Sequence, residues 1–303
     1  MKLAIITPAF SKHLPLLEIS VESVDRYVSP EIKQYVVVSR GEYHLFRHLN
    51  GSRRSVVIAE DILLPRWFFR LPVLVKGREV WLAGWHRMVR GWIMQQVLKL
   101  CAPEITNADV FLFLDTDVFF IRPFTLGKVV REGRVRLLRV PGRAAQLTTH
   151  ARWHRTAAKM LGLAPCDYYG ADFIGNTITW RRDVSLELRA RIAAVGGADW
   201  VSTITRQSHF SEYILYGVFV QEVIGPEDMR HEATSDEICL DSWYFMDGGG
   251  DHIQLLAERL RPNHIAVNIQ SNLGLTIAEF RKLVDAAVSI AGTASQSVEP
   301  KTG

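Results

Sequence analysis

The sequence predicts an α/β fold in which helices cover both faces of a mixed, mainly parallel central sheet. A short apolar strand, an amphipathic helix and a second apolar strand follow one another within the first 40 residues, an order typical of parallel sheets. A later apolar run at 110–114 reads as a strand buried on both faces. The length of 303 residues and the hydrophobic fraction of 48% allow one large domain of ordinary globular composition.

The composition argues against several other classes of protein. No apolar run approaches the roughly 18 residues of a membrane span, and the N-terminus is interrupted too soon for a signal peptide, so we expect a cytoplasmic protein. Three widely spaced cysteines indicate reduced thiols rather than a disulfide or zinc site. The net charge is +4, and arginine supplies most of the positive charge. Arginine side chains suit nucleotide diphosphates or anionic lipid headgroups. No basic and aromatic stripe resembles a nucleic-acid module, so we expect no nucleic-acid partner.

The first strands end in polar residues that are candidates for ligand contacts. The strand at 3–6 stops at Thr7 and Pro8, because proline cannot extend a central strand, and the second strand is followed by Ser39. In doubly wound sheets, ligands bind at the carboxyl ends of strands. A turn at the end of the first strand is an equally good interpretation of Thr7. The elements expected here are strands at 3–6, 35–38 and 56–59 and a helix at 16–28.

An aromatic and basic segment at 66–92 precedes the next helix. We expect most of its tryptophans to pack in the core, with stacking on a base or sugar ring as the alternative. His86 is expected to be solvated or hydrogen-bonded. The helix at 88–100 has one apolar face, and Gln95 and Lys99, four residues apart, share another. A solvated helix face is the alternative for this pair.

Two acidic residues follow the most apolar strand, Val-Phe-Leu-Phe-Leu at 110–114. In an extended chain Asp115 and Asp117 point to one side and Thr116 to the other. Like charges at the rim of a core repel each other unless a cation or a shared proton lies between them. Mg²⁺ and Mn²⁺ prefer such oxygen ligands, often one or two carboxylates plus phosphate oxygens. We therefore predict a cation site, with a surface turn or paired helix caps as the alternative.

Three segments together resemble the GT-A type of nucleotide-sugar glycosyltransferases. The run 115–123 reads D-x-D-x-x-x-x-x-P, 91–100 reads G-W-x-x-Q-Q-x-x-K-L, and 210–217 reads F-S-E-Y-x-L-Y-G. The bare D-x-D triplet is common, but its apolar context and the two longer segments are similar to a bacterial group of GT-A-like proteins. The resemblance implies a GT-A-like, Rossmann-type fold. It also implies one catalytic domain at 1–290, with a nucleotide-sugar-binding half at 1–125, an acceptor-binding half at 126–290 and a disordered tail at 291–303.

The resemblance further implies a metal-dependent transfer of a sugar from a nucleotide-diphosphate donor to a hydroxyl acceptor. Mn²⁺ or Mg²⁺ would be bound by Asp115 and Asp117. A glycan or lipid-linked acceptor is expected, in surface polysaccharide or glycolipid synthesis, with peripheral association at an anionic membrane as an option. A C-terminal histidine completes the metal site in several such families, which makes His264 a candidate, although a parallel strand at 265–269 would put it at the far end. The donor contacts implied are Thr7, Pro8, Ser39, Gln95, Lys99, Asp115 and Thr116.

The second half of the chain supplies candidates for the acceptor and the base. Ser211 can cap a helix, which by itself would favour Glu212 in the first turn. The functional interpretation is that Glu212 takes the proton from the acceptor hydroxyl in an inverting transfer; a retaining transfer would not need this base. Asp172 is the second candidate base. The acceptor contacts expected are Trp180, Tyr213, Gln270 and Ser271. The remaining elements expected are strands at 136–140 (an edge strand) and 174–180 and helices at 151–161, 182–192 and 277–290.

Two other functions remain as alternatives. The acidic pair also resembles the first motif of haloacid-dehalogenase-like phosphatases, with Asp115 as nucleophile and Asp117 as acid/base. Asp247 and Asp251 would then supply the acidic metal motif, but that family usually has its nucleophile on the first strand, and here three candidate strands precede it. The third possibility is a non-catalytic protein that binds a nucleotide sugar or carbohydrate without turnover.

Overall fold

A computed structural model of the protein describes residues 1–62, 68–71, 80–83, 87–241 and 251–296. The strands are β1 (Leu3–Pro8), β2 (Lys33–Val38), β3 (Arg54–Ile58), β4 (Phe68–Arg70), β5 (Val80–Ala83), β6 (Arg87–Arg90), β7 (Val110–Phe113), β8 (Val118–Phe120), β9 (Val130–Arg131), β10 (Arg134–Leu138), β11 (Val140–Pro141), β12 (Ala171–Asp172), β13 (Ile178–Arg181), β14 (His231–Thr234), β15 (Cys239–Asp241) and β16 (Ala266–Asn268). The helices are α1 (Leu14–Tyr27), α2 (Tyr43–Phe46), α3 (Ala59–Ile62), α4 (Gly91–Leu100), α5 (Ala102–Ile105), α6 (Thr148–Leu161), α7 (Arg182–Gly196), α8 (Trp200–Thr205), α9 (Glu212–Val218), α10 (His252–Arg259) and α11 (Ile277–Gln296).

The central sheet has five strands in the order β13-β7-β1-β2-β3. The pairs β7–β1, β1–β2 and β2–β3 are parallel, whereas β13 runs antiparallel to β7. The predicted mixed, mainly parallel sheet is therefore confirmed. Because four parallel strands end at the same edge, the residues that follow β1, β2 and β7 meet there.

Helices pack on both faces of this sheet, as predicted. Alternate side chains of β1 belong to different cores: Ala4 and Ile6 pack with Val97 of α4, whereas Ile5 packs with Val24 of α1. Side chains alternate along a strand, so a strand covered on both faces needs an apolar residue at every position. This explains the unbroken apolar run of β7, whose four residues are all buried.

A second sheet of three strands, in the order β15-β16-β8, continues from the central one. Strand β8 pairs antiparallel with β16, which pairs parallel with β15. The chain leaves the central sheet at the end of β7 and enters the second sheet at β8, so residues 114–117 form the link between the two sheets. Helix α11 packs beside this sheet in a core that includes Phe280, Val267 and Leu16.

Several predicted elements have different bounds in the structure. Helix α4 begins at Gly91 rather than at 88, because 87–90 pair with β5 as strand β6. The predicted edge strand at 136–140 is wrong in its position: β10 lies between β9 and β14. The strand predicted at 174–180 is confined to β13. Helix α11 continues to Gln296, so residues 291–296, predicted as part of the tail, are helical.

Some of the aromatic and basic segment lies outside the described residues, including His86, Trp67 and Trp85. Trp81 of β5 is buried, as expected of a core residue. Asp247 also lies outside the described part of the chain. Within the described residues, no helix combines the length and the apolar character that a membrane span requires.

Candidate active site

A cavity of about 1160 Å³ opens at the carboxyl edge of the central sheet. Pro8 follows β1 there, Glu42 follows β2, and Asp115 follows β7. Helices α4 and α9 supply further lining side chains, including Gln95 and Tyr213. The cavity therefore lies where strand order and parallel pairing concentrate the ends of the strands.

Asp115, Thr116 and Asp117 all line this cavity. They do not continue β7 in extended form, because the amide of Val118 donates to the carbonyl of Asp115 at 3.2 Å, closing a turn. The extended conformation from which the opposite directions of Thr116 and the two carboxylates were predicted is therefore absent from this segment. Both acids nevertheless line the same cavity, and a turn rather than a strand brings them there.

Asp117 is held from the side of the second sheet. Its carboxylate accepts hydrogen bonds from the side chain of Asn268 at 3.1 Å and from the backbone amide of Ser271 at 3.0 Å. Burial raises the pKa of Asp117 to about 6, and repulsion from Asp115 adds to this increase against the opposing effect of the Ser271 amide. Asp115 is thus close enough to disfavour the charge of Asp117.

Lys99 of α4 is the centre of a group of charges that we call the Lys99 cluster. Its Nζ lies 3.2 Å from Asp115, 3.1 Å from Glu212 and 2.7 Å from the hydroxyl of Tyr213. Burial on its own lowers the pKa of this lysine, but the neighbouring carboxylates and Tyr213 outweigh it and raise the pKa well above the ordinary value. Lys99 therefore stays protonated and joins the link between the two sheets to α9.

Glu212 is positioned by the start of α9. As predicted, Ser211 is the N-cap, with its side chain accepting from the amide of Ile214. The amide of Glu212 donates to Oε1 of Gln96 at 3.0 Å, which ties α9 to α4. One turn further, a Cβ at Gly217 would lie 2.1 Å from Phe173, so only glycine allows α9 to approach this closely.

The Lys99 cluster is locally short of positive charge. A single ammonium group serves Asp115 and Glu212, while Asp117 has an elevated pKa beside Asp115. Asp115 is half exposed to the cavity, and an ionised carboxylate offers about four lone-pair positions. These residues fit a divalent cation that takes its other ligands from phosphate or water.

The third protein ligand considered from the sequence is not at this site. His264 lies before β16, at the opposite end from Ser271, and its Nδ1 accepts from the amide of Arg261 at 3.0 Å. Among the described residues, no three acidic, histidine or cysteine side chains are grouped to hold a metal. The suggestion that His264 completes the metal site is therefore corrected.

Two of the predicted nucleotide contacts are structural instead. Thr7 is completely buried, and its Oγ1 accepts from Gln34 at 3.0 Å between β1 and β2. Ser39 is also buried and accepts from Arg70 at 3.1 Å. Neither is among the described residues that line the cavity, whereas Pro8 is.

Asp172 and Trp180 are likewise not part of the cavity. Asp172 is 1% exposed and accepts from Arg143 and from the amides of Phe173 and Ile174. Burial raises its pKa, but His150, Arg143 and the amide of Ile174 more than compensate, leaving the pKa below the ordinary value. Trp180 is buried against Tyr216 with ring centroids 4.7 Å apart. Their assignments as a base and an acceptor contact are corrected.

Of the two acceptor contacts predicted near the end of the chain, one lines the cavity and the other does not. Gln270 does not line the cavity among the described residues, and Ser271 does. The predicted site residues that the cavity brings together are Pro8, Gln95, Lys99, Asp115, Thr116, Asp117, Glu212, Tyr213 and Ser271.

The cavity also contains residues that sequence reasoning missed. Trp92 and Gln96 flank the predicted Gln95 on α4, and the regular spacing of that helix could have indicated them. Glu42 and Arg70 form an ion pair of 2.9 Å at the cavity wall. Asn176 donates to Asp241 at 3.2 Å, and both line the cavity although they are far apart in sequence. No local signal could have identified this last pair.

Comparisons with known proteins give one family, and the solved structures that match include two of LgtC. No curated protein matches the chain. A solved structure of an active-site mutant of LgtC is 15% identical, with a TM-score of 0.49, and the match covers 93% of this chain and 95% of that one. The galactosyltransferase LgtC in complex with donor and acceptor sugar analogues is 14% identical, with a TM-score of 0.47 and the same coverages of 93% and 95%. A family model described as a family of unknown function, DUF6492, matches residues 2–291. Because this match covers nearly the whole chain, the protein belongs to the DUF6492 family.

Proposed function

We propose that the protein is a metal-dependent glycosyltransferase that moves a sugar from a nucleotide-diphosphate donor to a hydroxyl acceptor. The observation that carries this proposal is the pair Asp115 and Asp117 on the wall of a large cavity at the carboxyl ends of parallel strands. The resemblance of the D-x-D run and of the segments in α4 and α9 to GT-A glycosyltransferases supports the same reaction.

The donor fits the side of the cavity formed by the ends of β1 and β2. Lys12, Arg70 and Arg90 line this cavity, and guanidinium groups match the geometry of phosphate oxygens. The volume of about 1160 Å³ slightly exceeds the range of about 300–1,000 Å³ for small-molecule sites, which suits a donor together with part of an acceptor. The diphosphate would then lie towards Asp115 and the nucleoside towards Pro8 and Glu42.

Asp115 and Asp117 would hold the divalent cation, Mn²⁺ or Mg²⁺. When bound, such a cation neutralises the charge that grows on the departing diphosphate. The chain's own contribution is to fix the two carboxylates, Asp117 through Asn268 and Ser271 and Asp115 through Lys99. Lys99 stays protonated, so it adds positive charge beside the leaving group without needing to exchange a proton.

Glu212 is the carboxylate assigned to the acceptor side. It is 5% exposed and lines the cavity, and in this proposal its carboxylate meets the acceptor hydroxyl. A base placed there removes the hydroxyl proton as the bond to the sugar forms. The fixing of its backbone by Gln96 limits movement of this carboxylate during transfer.

Thermal unfolding with nucleotides tests the proposal. The full chain is heated with UDP, GDP, ADP or CMP, each with Mn²⁺ or with EDTA. We expect one diphosphate to raise the melting temperature only with Mn²⁺, because a ligand at 100 times its Kd stabilises the folded state by about 2.7 kcal/mol. Asp115→Asn should abolish this shift. Asp167→Asn, at an exposed ion pair, is the matched control and should keep it.

The same samples separate the other two functions. Absence of any Mn²⁺-linked nucleotide shift overturns the proposal. A shift without hydrolysis or transfer of any nucleotide sugar identifies a binding protein instead. Release of phosphate from a phosphomonoester through a phosphoenzyme would identify a phosphatase, although Asp251, which that function requires near the site, caps α10 by accepting from Ile253 and Gln254.

A further inference from the structure

Two tryptophans form part of the cavity wall beside the acidic residues. Trp92 of α4 and Trp153 of α6 both line the cavity, and their rings stack with centroids 6.1 Å apart and an interplanar angle of 30°. The ring of His150 supports Trp153 from another side, with centroids 4.8 Å apart. Trp92 is 44% exposed. We call Trp92 and Trp153 the tryptophan wall.

The tryptophan wall lies at a defined distance from the Lys99 cluster. Trp92 precedes Lys99 by seven residues on α4, which is two turns, or about 10 Å along the axis. Gln95 and Gln96, between them, face the same cavity. A ring stacked on the wall would therefore lie in the same cavity as Glu212, about two helical turns from Lys99.

The chemistry of this part of the cavity selects the kind of ligand. Exposed indole surface gains about 25 cal/mol for each Å² that an apolar face covers. Gln95 and Asn176 line the cavity with amide groups that both donate and accept hydrogen bonds. A purely apolar ligand would cover these amides without pairing them. Glu212 already has Lys99 as its counter-ion, so it offers this part of the cavity a hydrogen-bond acceptor rather than a site for an anion. A neutral ring with one C–H face and several hydroxyl groups meets all of these conditions.

We propose that the tryptophan wall is the binding site for the acceptor, and that the acceptor presents a neutral pyranose whose C–H face stacks on Trp92 and Trp153. The assignment of this ring as acceptor rests on the proposed function, whereas its binding does not. A nucleobase could also stack on indole, but the donor nucleoside is assigned to the ends of β1 and β2. Stacking of a base on the tryptophan wall is therefore a competing outcome of the test.

Fluorine NMR of the full chain labelled with 5-fluorotryptophan measures this binding directly. The resonances of Trp92 and Trp153 are assigned with the variants Trp92→Phe and Trp153→Phe. The probes are methyl β-D-galactopyranoside, methyl β-D-glucopyranoside, the acyclic polyol sorbitol, and UDP with Mn²⁺. We expect a glycoside to shift both resonances, and sorbitol and UDP to leave them unchanged.

Substitutions then test the energetic role of the tryptophan wall. Trp92→Ala and Trp153→Ala should each weaken glycoside binding about ten-fold, because stacking on an aromatic ring contributes on this scale. Trp200→Phe, at a tryptophan that packs against Arg189, is the control and should leave affinity unchanged. The proposal is overturned if no glycoside shifts the two resonances or if UDP shifts them instead.

The result is independent of the nucleotide experiment. Absence of a Mn²⁺-linked increase in melting temperature with nucleotide would overturn the proposed glycosyltransferase activity but would leave glycoside binding at the tryptophan wall intact. An increase in melting temperature with nucleotide, together with no binding of a glycoside, would overturn only the proposed role of the tryptophan wall.

Discussion

Two buried carboxylates in this protein have similar partners and opposite surroundings. Glu212 and Asp172 are both about as buried as core residues, and each is paired with a cation, Lys99 or Arg143. We call Arg143, His150, Asp172 and Glu237 the Asp172 cluster. Asp172 uses both oxygens on Arg143 and on two backbone amides, which fixes the turn that follows β12. The Lys99 cluster instead faces the cavity through half-exposed Asp115.

The difference shows that burial and charge pairing alone do not identify a functional acid. Backbone amides around Asp172 complete its hydrogen bonding, so this carboxylate stabilises a local conformation. In the Lys99 cluster two carboxylates share one ammonium group, and the unbalanced charge remains available to a ligand. Substitutions in the two clusters should therefore separate stability from activity.

The largest effect is expected for Lys99→Met. This change leaves Glu212 buried without its cation, which typically costs about 3–5 kcal/mol of unfolding free energy. Adding Glu212→Gln should recover most of that stability, because the uncompensated charge is gone, while both variants stay inactive. Urea unfolding and a transfer assay measure the two quantities. Equal stabilities of the single and double variants would contradict the pairing.

A smaller effect on stability, with no direct effect on ligand binding, is expected for Asp172→Asn. The amide keeps the shape but weakens the charged hydrogen bond to Arg143, at a cost of about 2 kcal/mol. Nucleotide affinity of the folded variant should equal that of the wild type in calorimetry. A large loss of nucleotide affinity would show that Asp172 contributes to the binding site.

A still smaller effect, visible mainly in acid, is expected for His154→Leu. Burial lowers the pKa of His154 to about 4, below the value of about 6.5 for the unfolded chain. Between these two pH values the unfolded state binds more protons than the folded state. The contribution of neutral His154 to the free energy of unfolding is therefore complete above pH 6.5 and is lost as the pH falls towards 4.

Leucine removes this contribution, so the melting temperature of His154→Leu should fall less between pH 7 and pH 4.5 than that of the wild type. At pH 7 the change should be within about 1 kcal/mol, because neither ring nitrogen of His154 has a hydrogen-bond partner among the described residues. His48→Gln, at an exposed histidine, is the control. Parallel pH profiles of wild type and His154→Leu would contradict the assignment.

The sequence identified the acids of the site better than their surroundings. Asp115 and Asp117 could be predicted because their context is local: an apolar strand ends immediately before them. Gln95 and Lys99 could be predicted because helical spacing fixes which residues share a face. The central sheet was predictable for the same reason, since strand and helix periods are local patterns.

Residues whose role depends on distant partners were not predictable. Alternation along β13 predicts that Thr179 and Trp180 face opposite sides of the strand. It does not predict that both sides are buried, which is why Trp180 lies in the core and not at the cavity. Thr7 ends a strand where ligands often bind, yet its partner Gln34 lies 27 residues away. The contact between Trp92 and Trp153 likewise joins two helices whose packing no local pattern encodes.

The position of Asp117 has a consequence for assembly of the site during synthesis. Its bond to Ser271 spans 154 residues, whereas Lys99 and Asp115 are only 16 residues apart, joined through α5 and β7. A growing chain can therefore order one acid of the pair while the other still lacks its anchor, and closing so long a loop is slow. The candidate cation site should therefore be complete only once the final third of the polypeptide has emerged and docked.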